Sequence, residues 1–405
     1  MGGRDTVREA AKTIENQIIA WRREIHRHPE IGLETTRTAA LVSSALKEMG
    51  IEVREGVGGH GVVGLLRGEG SPGQEDSGGR ARTIALRADM DALPVQEETG
   101  HPYASEVPGL MHACGHDGHV AMLLGAAKIL SGMRNSLKGN VKFIFQPGEE
   151  GPGGARPMID DRALEDPRPQ AIVGAHLGSL WNVAHGKVGF RAGPLMAATD
   201  RFDVLVQGMG GHGAAPHTSV DPVVVASHIV VALQTIVSRE INPTEPAVVT
   251  VGVIEAGSAN NIIPDKCVMK GTVRYMNKDL GPFVSRRIKE IAESMASGMR
   301  AEATVQYHFG YPPLVNDAEI TERVKMSAAK VVGAENIVVA GQTMGAEDMS
   351  YYLDKVPGTF FAIGSSSEAK GIVYPNHHPK FDIDEDVLHL GSAIFVQACL
   401  DFLGG

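Results

Sequence analysis

The 405-residue sequence is poor in cysteine, with only Cys114, Cys267 and Cys399. Three widely spaced thiols cannot form a disulfide framework, and an odd number is typical of a reducing compartment, so we expect a cytoplasmic protein. The N-terminus lacks the basic and then apolar pattern of a secretory signal. Since a serine and a histidine interrupt the most apolar stretch, residues 223–233, no membrane-spanning segment is predicted.

Basic residues are also in deficit, because 38 lysines and arginines stand against 48 acidic residues and leave a net charge of −10. Such a chain repels a phosphate backbone, so nucleic acid is not an expected partner. The hydrophobic share of 43% and the charged share of 21% are ordinary for globular proteins and exclude a disordered chain. At about 150 residues per domain, the length indicates two or three domains.

Several common catalytic motifs are absent. The sequence contains no G-x-S-x-G elbow, Walker loop, C-x-x-C pair or H-E-x-x-H helix, which removes the usual signatures of serine hydrolases, NTPases and zinc fingers. The spacing G-x-G-x-x-G occurs at residues 56–61 and 208–213. The first match precedes its predicted strand and the second runs into Pro216, so neither predicts a dinucleotide site.

Hydrophobic periodicity predicts an α/β fold. Two helices are expected within residues 7–49, and residues 68–80 are expected to form a solvated hairpin loop without chemistry. A further helix is expected after Asp117. The expected strands in this first part are residues 61–66, 83–86, 141–145, 171–175 and a short one near Val188.

The pattern then restarts as a compact α+β block. Its expected elements are strands at 202–206, 247–254 and 267–274 and helices at 222–237 and 280–295. After it we expect a strand from Val305, a helix at 319–330, a strand at 359–363 and a closing helix at 384–402. The predicted architecture is one discontinuous α/β domain, residues 1–190 plus 303–405, with a mixed sheet flanked by helices. It is interrupted by a smaller α+β domain at residues 191–302.

Histidine is abundant, with sixteen in the chain, and three of them lie with a cysteine in residues 111–119. Thiolate and neutral imidazole are good ligands for borderline divalent ions, and Cys114 and His116 flank a glycine that lets both face one point. The alternative is a histidine-rich loop with partly exposed rings. On this motif alone, both interpretations remain open.

Three further segments carry ligand-type side chains. Glu149 and Glu150 follow the predicted strand at 141–145, where one carboxylate can bind a cation while the other reaches a water on it. The alternative for this pair is a solvated acidic turn. His176 follows the strand at 171–175, and residues 376–379 supply two more histidines. Four separate segments that deliver ligands to strand ends and loops favour one shared metal site.

On these motifs the chain resembles the hippurate hydrolases, aminoacylases and auxin-conjugate amidohydrolases. These enzymes are a branch of the carboxypeptidase-like peptidase family with a dinuclear metal site. The resemblance extends from about residue 14 to 403. The matching motifs are residues 22–30, 87–94, 111–119, 146–151, 208–216, 261–264 and 377–385.

The resemblance implies two divalent ions per subunit, with zinc or manganese expected and cobalt or nickel as further candidates. It implies Glu149 as the general base. Distant relatives carry histidine where this chain has Asp89, so Asp89 and Asp91 are candidates to support the ligands. The metal ligands that it implies are Cys114, His116, Glu150, His176 and His377.

The resemblance also implies that the smaller domain is a lid and dimerisation domain. Its His212 would polarise the scissile carbonyl in the partner subunit of a homodimer or a dimer of dimers. Asn261 and Arg274 would hold the substrate carboxylate, although Arg274 is equally explained as a surface charge.

The implied reaction is hydrolysis of N-acyl amino acids by a metal-activated water. Three alternatives remain. The substrate could be a short peptide, which makes the protein a carboxypeptidase or dipeptidase. Cys114 could act as a nucleophile. The chain could also be a non-enzymatic scaffold that has kept the fold.

Overall fold

The computed structural model describes residues 4–70 and 81–404. Its helices are α1 (Arg4–Thr13), α2 (Glu15–Arg27), α3 (Thr36–Glu48), α4 (His116–Gly132), α5 (Ala155–Asp160), α6 (Pro222–Thr235), α7 (Leu280–Gly298), α8 (Ala318–Val332), α9 (Met349–Leu353) and α10 (Leu388–Gly404). Its strands are β1 (Glu52–Val57), β2 (Gly61–Arg67), β3 (Thr83–Asp89), β4 (Asn140–Gln146), β5 (Ala171–Leu177), β6 (Val188–Phe190), β7 (Gly193–Met196), β8 (Thr199–Gln207), β9 (Gly211–His212), β10 (Ala247–Ala256), β11 (Ile262–Ile263), β12 (Lys266–Tyr275), β13 (Glu302–Tyr311), β14 (Leu314–Asn316), β15 (Ile337–Val339) and β16 (Gly358–Ile363).

The chain forms two compact units. The larger unit comprises Met1–Leu195, Val315–Gln342 and Asp348–Gly405. The smaller unit comprises Met196–Leu314 and Thr343–Glu347.

The larger unit contains a mixed sheet with the strand order β1-β2-β4-β3-β5-β16-β6-β15. β3 runs parallel to both of its neighbours, β4 and β5. All three strands are buried along their whole length, as expected for parallel strands covered on both faces. Their carboxyl ends therefore lie side by side at one edge of the sheet.

Two apolar helices fill the core of the larger unit. α4 and α10 are buried over nearly their whole length and pack against each other. A helix that is apolar on every side is typical of a protein core. The Ser392 hydroxyl donates to the Met122 carbonyl at 2.8 Å across this contact, so its polar atom has a partner. The predicted mixed sheet flanked by helices is confirmed.

The smaller unit contains an antiparallel sheet with the order β10-β12-β8-β13. Helices α6 and α7 contact each other and this sheet. Their apolar faces, including Ile229, Leu233, Val284 and Ile288, are fully buried. One hydrophobic cluster joins the two helices to the sheet.

The structure differs from the predictions in several places. Three helices rather than two precede the first strand, because α1 ends at Thr13 and α2 begins at Glu15, so the first expected helix is divided in two. β1 was not predicted, since most of its residues are exposed and give no apolar alternation. The hairpin expected around residues 68–80 is wrong, because β4 lies between β2 and β3; residues 71–80 themselves lie outside the described residues.

The unit boundary also falls elsewhere than residues 191 and 302. β13 pairs with β8 from Glu302 to Tyr311, so it extends the smaller sheet instead of returning to the larger domain. The sequence marks the end of this strand with Pro312 and Pro313, which cannot continue a hydrogen-bonded ladder.

Two helical segments are long and apolar enough to cross a membrane by length and composition, Pro222–Glu240 and Glu385–Gly404. Within the second segment, 83% of the apolar window is buried inside the protein, because it contains the core helix α10. This is weak support for membrane crossing, since core helices meet the same criterion.

Candidate metal centre

The carboxyl ends of β4, β3 and β5 carry several of the side chains singled out from the sequence. β3 ends at Asp89, Glu149 and Glu150 follow the end of β4, and His176 is the second-last residue of β5. Ligands bind preferentially at this edge of open α/β sheets. Parallel pairing therefore brings together residues that are far apart in the sequence.

Cys114 and His116 reach the same place from the start of α4. Gly115 between them has φ of +89°, a conformation that glycine adopts at little cost. Ligand atoms of Cys114, His116 and His176 lie within 4.8 Å of one another. The Cys114 Sγ and His176 Nε2 atoms are 3.5 Å apart.

A second group contains Cys114, Glu150 and His377, again with ligand atoms within 4.8 Å. His377 Nε2 is 3.2 Å from Glu150 Oε1. The His377 backbone N–H donates to the Ala113 carbonyl at 2.7 Å, which ties this late segment to the cysteine motif. Cys114 thus belongs to both groups.

The neighbouring histidine has a different environment. The His378 ring stacks on Tyr374 with a centroid distance of 4.4 Å, and its Nδ1 accepts the Lys380 N–H at 3.0 Å. The His378 ring is therefore engaged by Tyr374 and Lys380, whereas His377 is the histidine that lies with Cys114 and Glu150.

Glu149 completes a third group, since ligand atoms of His116, Glu149 and Glu150 also lie within 4.8 Å of one another. The backbone of the two glutamates is held by Asp91, whose Oδ1 accepts the Glu149 N–H at 2.9 Å and whose Oδ2 accepts the Glu150 N–H at 3.0 Å. Asp91 therefore fixes the turn that presents both carboxylates.

Hydrogen bonds also fix which nitrogen each ring offers. His116 Nδ1 donates to the Asp91 carbonyl at 2.8 Å, and His176 Nδ1 donates to the Leu177 carbonyl at 2.6 Å. The Nε2 atom of each ring is then left with a lone pair, the form in which imidazole binds metals.

The donor set fits divalent cations. His116 Nε2 is buried and makes no hydrogen bond within the described residues, a costly arrangement unless another group satisfies it. Burial and the nearby Glu150 carboxylate raise the pKa of the Cys114 thiol to about 12, so a cation that binds its sulfur must displace a proton. Sulfur, nitrogen and oxygen donors together suit a borderline divalent ion.

A further group, Asp89, His116 and His119, also has ligand atoms within 4.8 Å. Both nitrogens of His119 already have partners, because Nδ1 is 2.6 Å from Asp89 Oδ1 and Nε2 accepts the Leu177 N–H at 2.9 Å. His119 is therefore held by the protein, whereas His116 Nε2 lies 3.8 Å from Asp89 Oδ2, too far for a hydrogen bond.

A buried ionic network that includes Asp89 was not predicted from the sequence. Arg87 donates to Asp89 at 2.7 Å and to Asp348 at 2.8 Å, and the Gln146 amide also donates to Asp348 at 2.8 Å. The available signal was Arg87 within a buried strand, because a buried charge requires a partner. Nothing in the sequence identifies Asp348 as that partner.

The remaining candidates lie in the smaller unit. His212 is opposite Ile262 in the two-stranded β9–β11 sheet, and the Asn261 carbonyl accepts the Gly213 N–H at 2.8 Å, so His212 and Asn261 lie close together. Arg274 lies on β12, where its guanidinium donates to the Thr272 hydroxyl and, at 3.1 Å, to the Val273 carbonyl. Their roles toward a substrate stay predictions.

Comparison with known proteins places the chain among metal-dependent hydrolases. The model of the peptidase family M20/M25/M40 matches residues 85–401. The chain is 42% identical over 376 residues to N-acetyl-L-cysteine deacetylase of Bacillus subtilis, covering 93% of this chain and 86% of the relative. It is 40% identical over 402 residues to thermostable carboxypeptidase 1 of Saccharolobus solfataricus, covering 98% of each.

Among solved structures, the fold is similar to that of the YXEP protein of Bacillus subtilis, described as a dinuclear metal-binding peptidase of the M20 family. The TM-score is 0.83 at 34% identity, covering 97% of this chain and 99% of the other. The chain therefore belongs to the peptidase family M20/M25/M40, and it is a metal-dependent amidohydrolase or peptidase of that family, as its motifs predicted.

Proposed function

We propose that the protein hydrolyses the amide bond of N-acyl amino acids, including hippurate-like conjugates. The observation that carries this proposal is the convergence of ligand atoms from four chain segments, in overlapping groups that share Cys114, with the Glu149 carboxylate beside them. The name of the deacetylase relative supports an N-acyl amino acid as substrate.

The proposed ligands of two divalent ions are Cys114, His116, Glu150, His176 and His377. Zinc or manganese is the expected metal, with cobalt and nickel as further candidates. The chemistry that such a pair supplies when bound is a water acidified toward neutral pH and a polarised scissile carbonyl.

Glu149 is the proposed general base. Its carboxylate lies among the ligand atoms of His116 and Glu150, and its side chain is only 8% exposed, so water around it is restricted. Glu149 would take a proton from the attacking water and return it to the leaving amine. The Asp91 carboxylate holds its backbone in place for both transfers.

Residues of the smaller unit would complete the reaction. His212 is proposed to stabilise the charge that develops on the carbonyl oxygen, acting on the partner subunit. Asn261 and Arg274 are proposed to bind the substrate carboxylate. The exposed position of His212 and Asn261 beside the β9–β11 pairing supports a role in contacting another molecule.

The proposed partner is a second copy of this chain, as a homodimer or a dimer of dimers. β10 is an edge strand of the smaller sheet, and Val253 and Ile254 on it are 38% and 53% exposed. The outer face of α6 adds Val224 and Val231, which are 46% and 70% exposed. An apolar edge strand can pair with its own copy around a two-fold axis, which buries both features.

A second candidate function is cleavage of short peptides by the same centre, as a metallo-carboxypeptidase or dipeptidase. The relative described as a carboxypeptidase, 40% identical over 98% of the chain, favours it. A panel of N-acyl amino acids and dipeptides with free amino termini, assayed side by side, separates the two.

The test of the proposed function is Glu149→Gln, with Glu98→Gln as the matched change at an exposed position. We expect both variants to retain two equivalents of metal by elemental analysis. Glu149→Gln should lose roughly 10²–10⁴-fold in kcat, the usual contribution of a general base, and Glu98→Gln should match wild type. Full turnover by Glu149→Gln with metal bound would overturn the base assignment.

Chelation separates metal hydrolysis from thiol catalysis. A chelator should abolish hydrolysis, and a divalent ion should restore it, because the proposed water is activated only beside metal. Activity that survives chelation but is lost on alkylation of Cys114 would instead favour a cysteine nucleophile.

A further inference from the structure

We propose that Asp89 and His119 form a positioning pair that fixes the end of β5 and, through it, the ring of His176. This inference rests on the proposed function, since His176 matters here as a proposed metal ligand. It gives His119 a role distinct from that of the other histidines of its motif.

The His119 ring is 1% exposed and is held from both sides. Leu177 donates its N–H to His119 Nε2 at 2.9 Å, so Nε2 carries no proton. The proton therefore lies on Nδ1, which donates to Asp89 Oδ1 at 2.6 Å. With both nitrogens used, the ring acts as a rigid link between β3 and β5.

This link takes the place of a backbone hydrogen bond between β3 and β5. The β3–β5 ladder ends at the pair Arg87 and Gly174, three residues before Leu177. The N–H of Leu177 lies beyond that ladder in a residue that is 1% exposed, where an unpaired amide is costly. His119 satisfies the amide and holds the last residue of β5 on the β3 side, while Ile363 of β16 pairs with that residue on the other side.

Leu177 also sets the orientation of the His176 ring. Its carbonyl accepts from His176 Nδ1 at 2.6 Å, which turns Nε2 toward Cys114 Sγ at 3.5 Å. The rings of His119 and His176 meet edge to face with centroids 4.7 Å apart. Movement of His119 would therefore reach His176 through both the Leu177 backbone and the ring contact.

Asp89 is itself held as a fixed acceptor. Arg87 donates to its Oδ2 at 2.7 Å, and Asp89 is completely buried. The cation offsets the charge of the buried carboxylate and leaves Oδ1 for His119. Asp89 thus anchors the pair.

The test is His119→Gln, with His389→Gln as a matched control at another buried histidine, on α10 of the same unit. Each full-length protein, loaded with cobalt(II), is challenged with a chromophoric chelator while the thiolate-to-cobalt absorption is followed. We expect wild type and His389→Gln to release two equivalents with the same affinities. His119→Gln should hold one equivalent roughly 10–100-fold more weakly, the usual effect of losing a group that orients a ligand.

Two results would contradict the proposals, and each result contradicts a different one. If wild type holds no cobalt, the proposed function fails. If wild type holds two equivalents and His119→Gln holds both with unchanged affinity, only the positioning role is overturned.

A second variant covers the case in which His119→Gln does not fold. Asp89→Asn keeps the size of the side chain and removes the charge that fixes the His119 proton, so it should weaken the same equivalent. The double variant should lose no more affinity than His119→Gln alone, because the two residues act as one unit. Wild-type affinity in Asp89→Asn, or additive losses in the double variant, would contradict the pair.

Discussion

At the scale of single residues, Asp91 connects more of the candidate centre than any of the proposed ligands does. Its two carboxylate oxygens accept the backbone N–H groups of Glu149 and Glu150, and its carbonyl accepts the Nδ1 proton of His116. The proposed base and two proposed ligands are therefore positioned by one side chain and its own peptide group.

Asp91→Asn tests this arrangement. An amide offers one oxygen where the carboxylate offers two, so one of the two N–H groups in the turn loses its acceptor. We expect kcat to fall by about 10–100-fold, as is usual when a supporting group at a metal site is changed. Steady-state kinetics with elemental analysis would check this, with Asp160→Asn, a change at an exposed aspartate, as the control. Unchanged kcat in Asp91→Asn would contradict the role.

His26 and Glu97 form a buried ion pair, with His26 Nε2 3.3 Å from Glu97 Oε2. Burial alone would raise the pKa of Glu97, but the hydrogen bond and charge of His26, together with the Ser105 N–H, lower it from 4.5 to about 2. Since this pKa is lower in the folded protein, ionised Glu97 stabilises the fold above about pH 4.5.

The stabilisation of the fold by ionised Glu97 should be lost as the pH falls from 4.5 toward 2. Glu97→Gln should therefore be less stable than wild type at pH 6, and the difference should shrink on acidification. Urea unfolding at a series of pH values measures it, with the exposed Glu98→Gln as control. A constant difference across the series would show that the charge of Glu97 is not the cause.

At the scale of elements, α4 depends on close approach to its neighbours. A Cβ added at Gly125 would lie 2.4 Å from the Ser392 hydroxyl on α10 and 2.8 Å from a methyl group of Ile18 on α2. Gly132, at the end of the same helix, has nothing within 4 Å of such an atom. A side chain at position 125 would therefore clash with its neighbours, whereas a side chain at position 132 would not.

Gly125→Ala should lower the free energy of unfolding by about 1–3 kcal/mol, because it overpacks a filled contact. Gly132→Ala should raise it by about 0.4–1 kcal/mol, since alanine restricts the unfolded chain and meets no obstacle. Thermal and urea denaturation would measure both. Equal effects of the two substitutions would contradict this view of the α4–α10 contact.

At the scale of elements, part of the fold and part of the candidate metal centre could be predicted from the sequence alone. β3, β4 and β5 were predicted because strands buried on both faces form continuous apolar runs. The order of the sheet was not, because insertion of β4 between β2 and β3 is a non-local pairing without a local signal. The proposed ligands were found through recognisable motifs, whereas Asp348 was missed because its partner Arg87 lies 261 residues away.

At the scale of the whole molecule, the exposed apolar surface of α6 and β10 predicts self-association. Val231 on α6 is 70% exposed and Val339 on β15 of the larger unit is 79% exposed. Val231 belongs to a surface that also carries Val224 on α6 and Val253 and Ile254 on the edge strand β10. Isolated exposed apolar residues are common and carry no such meaning.

Val231→Glu should therefore shift the protein from dimer to monomer in sedimentation velocity, and Val339→Glu should leave the wild-type state unchanged. A charge buried in an apolar interface without a partner is strongly unfavourable. A monomeric wild type, or a dimer that persists in Val231→Glu, would contradict the proposed interface.

The order in which the strands are joined has a consequence for biosynthesis. β16 lies between β5 and β6 although it is made after the entire smaller unit, and His377 follows it. A chain emerging from the ribosome cannot close this sheet until nearly all of its residues have been translated. Products that end before His377 would lack the last proposed ligand and the core helix α10, so the proposed two-metal centre could form only late in translation.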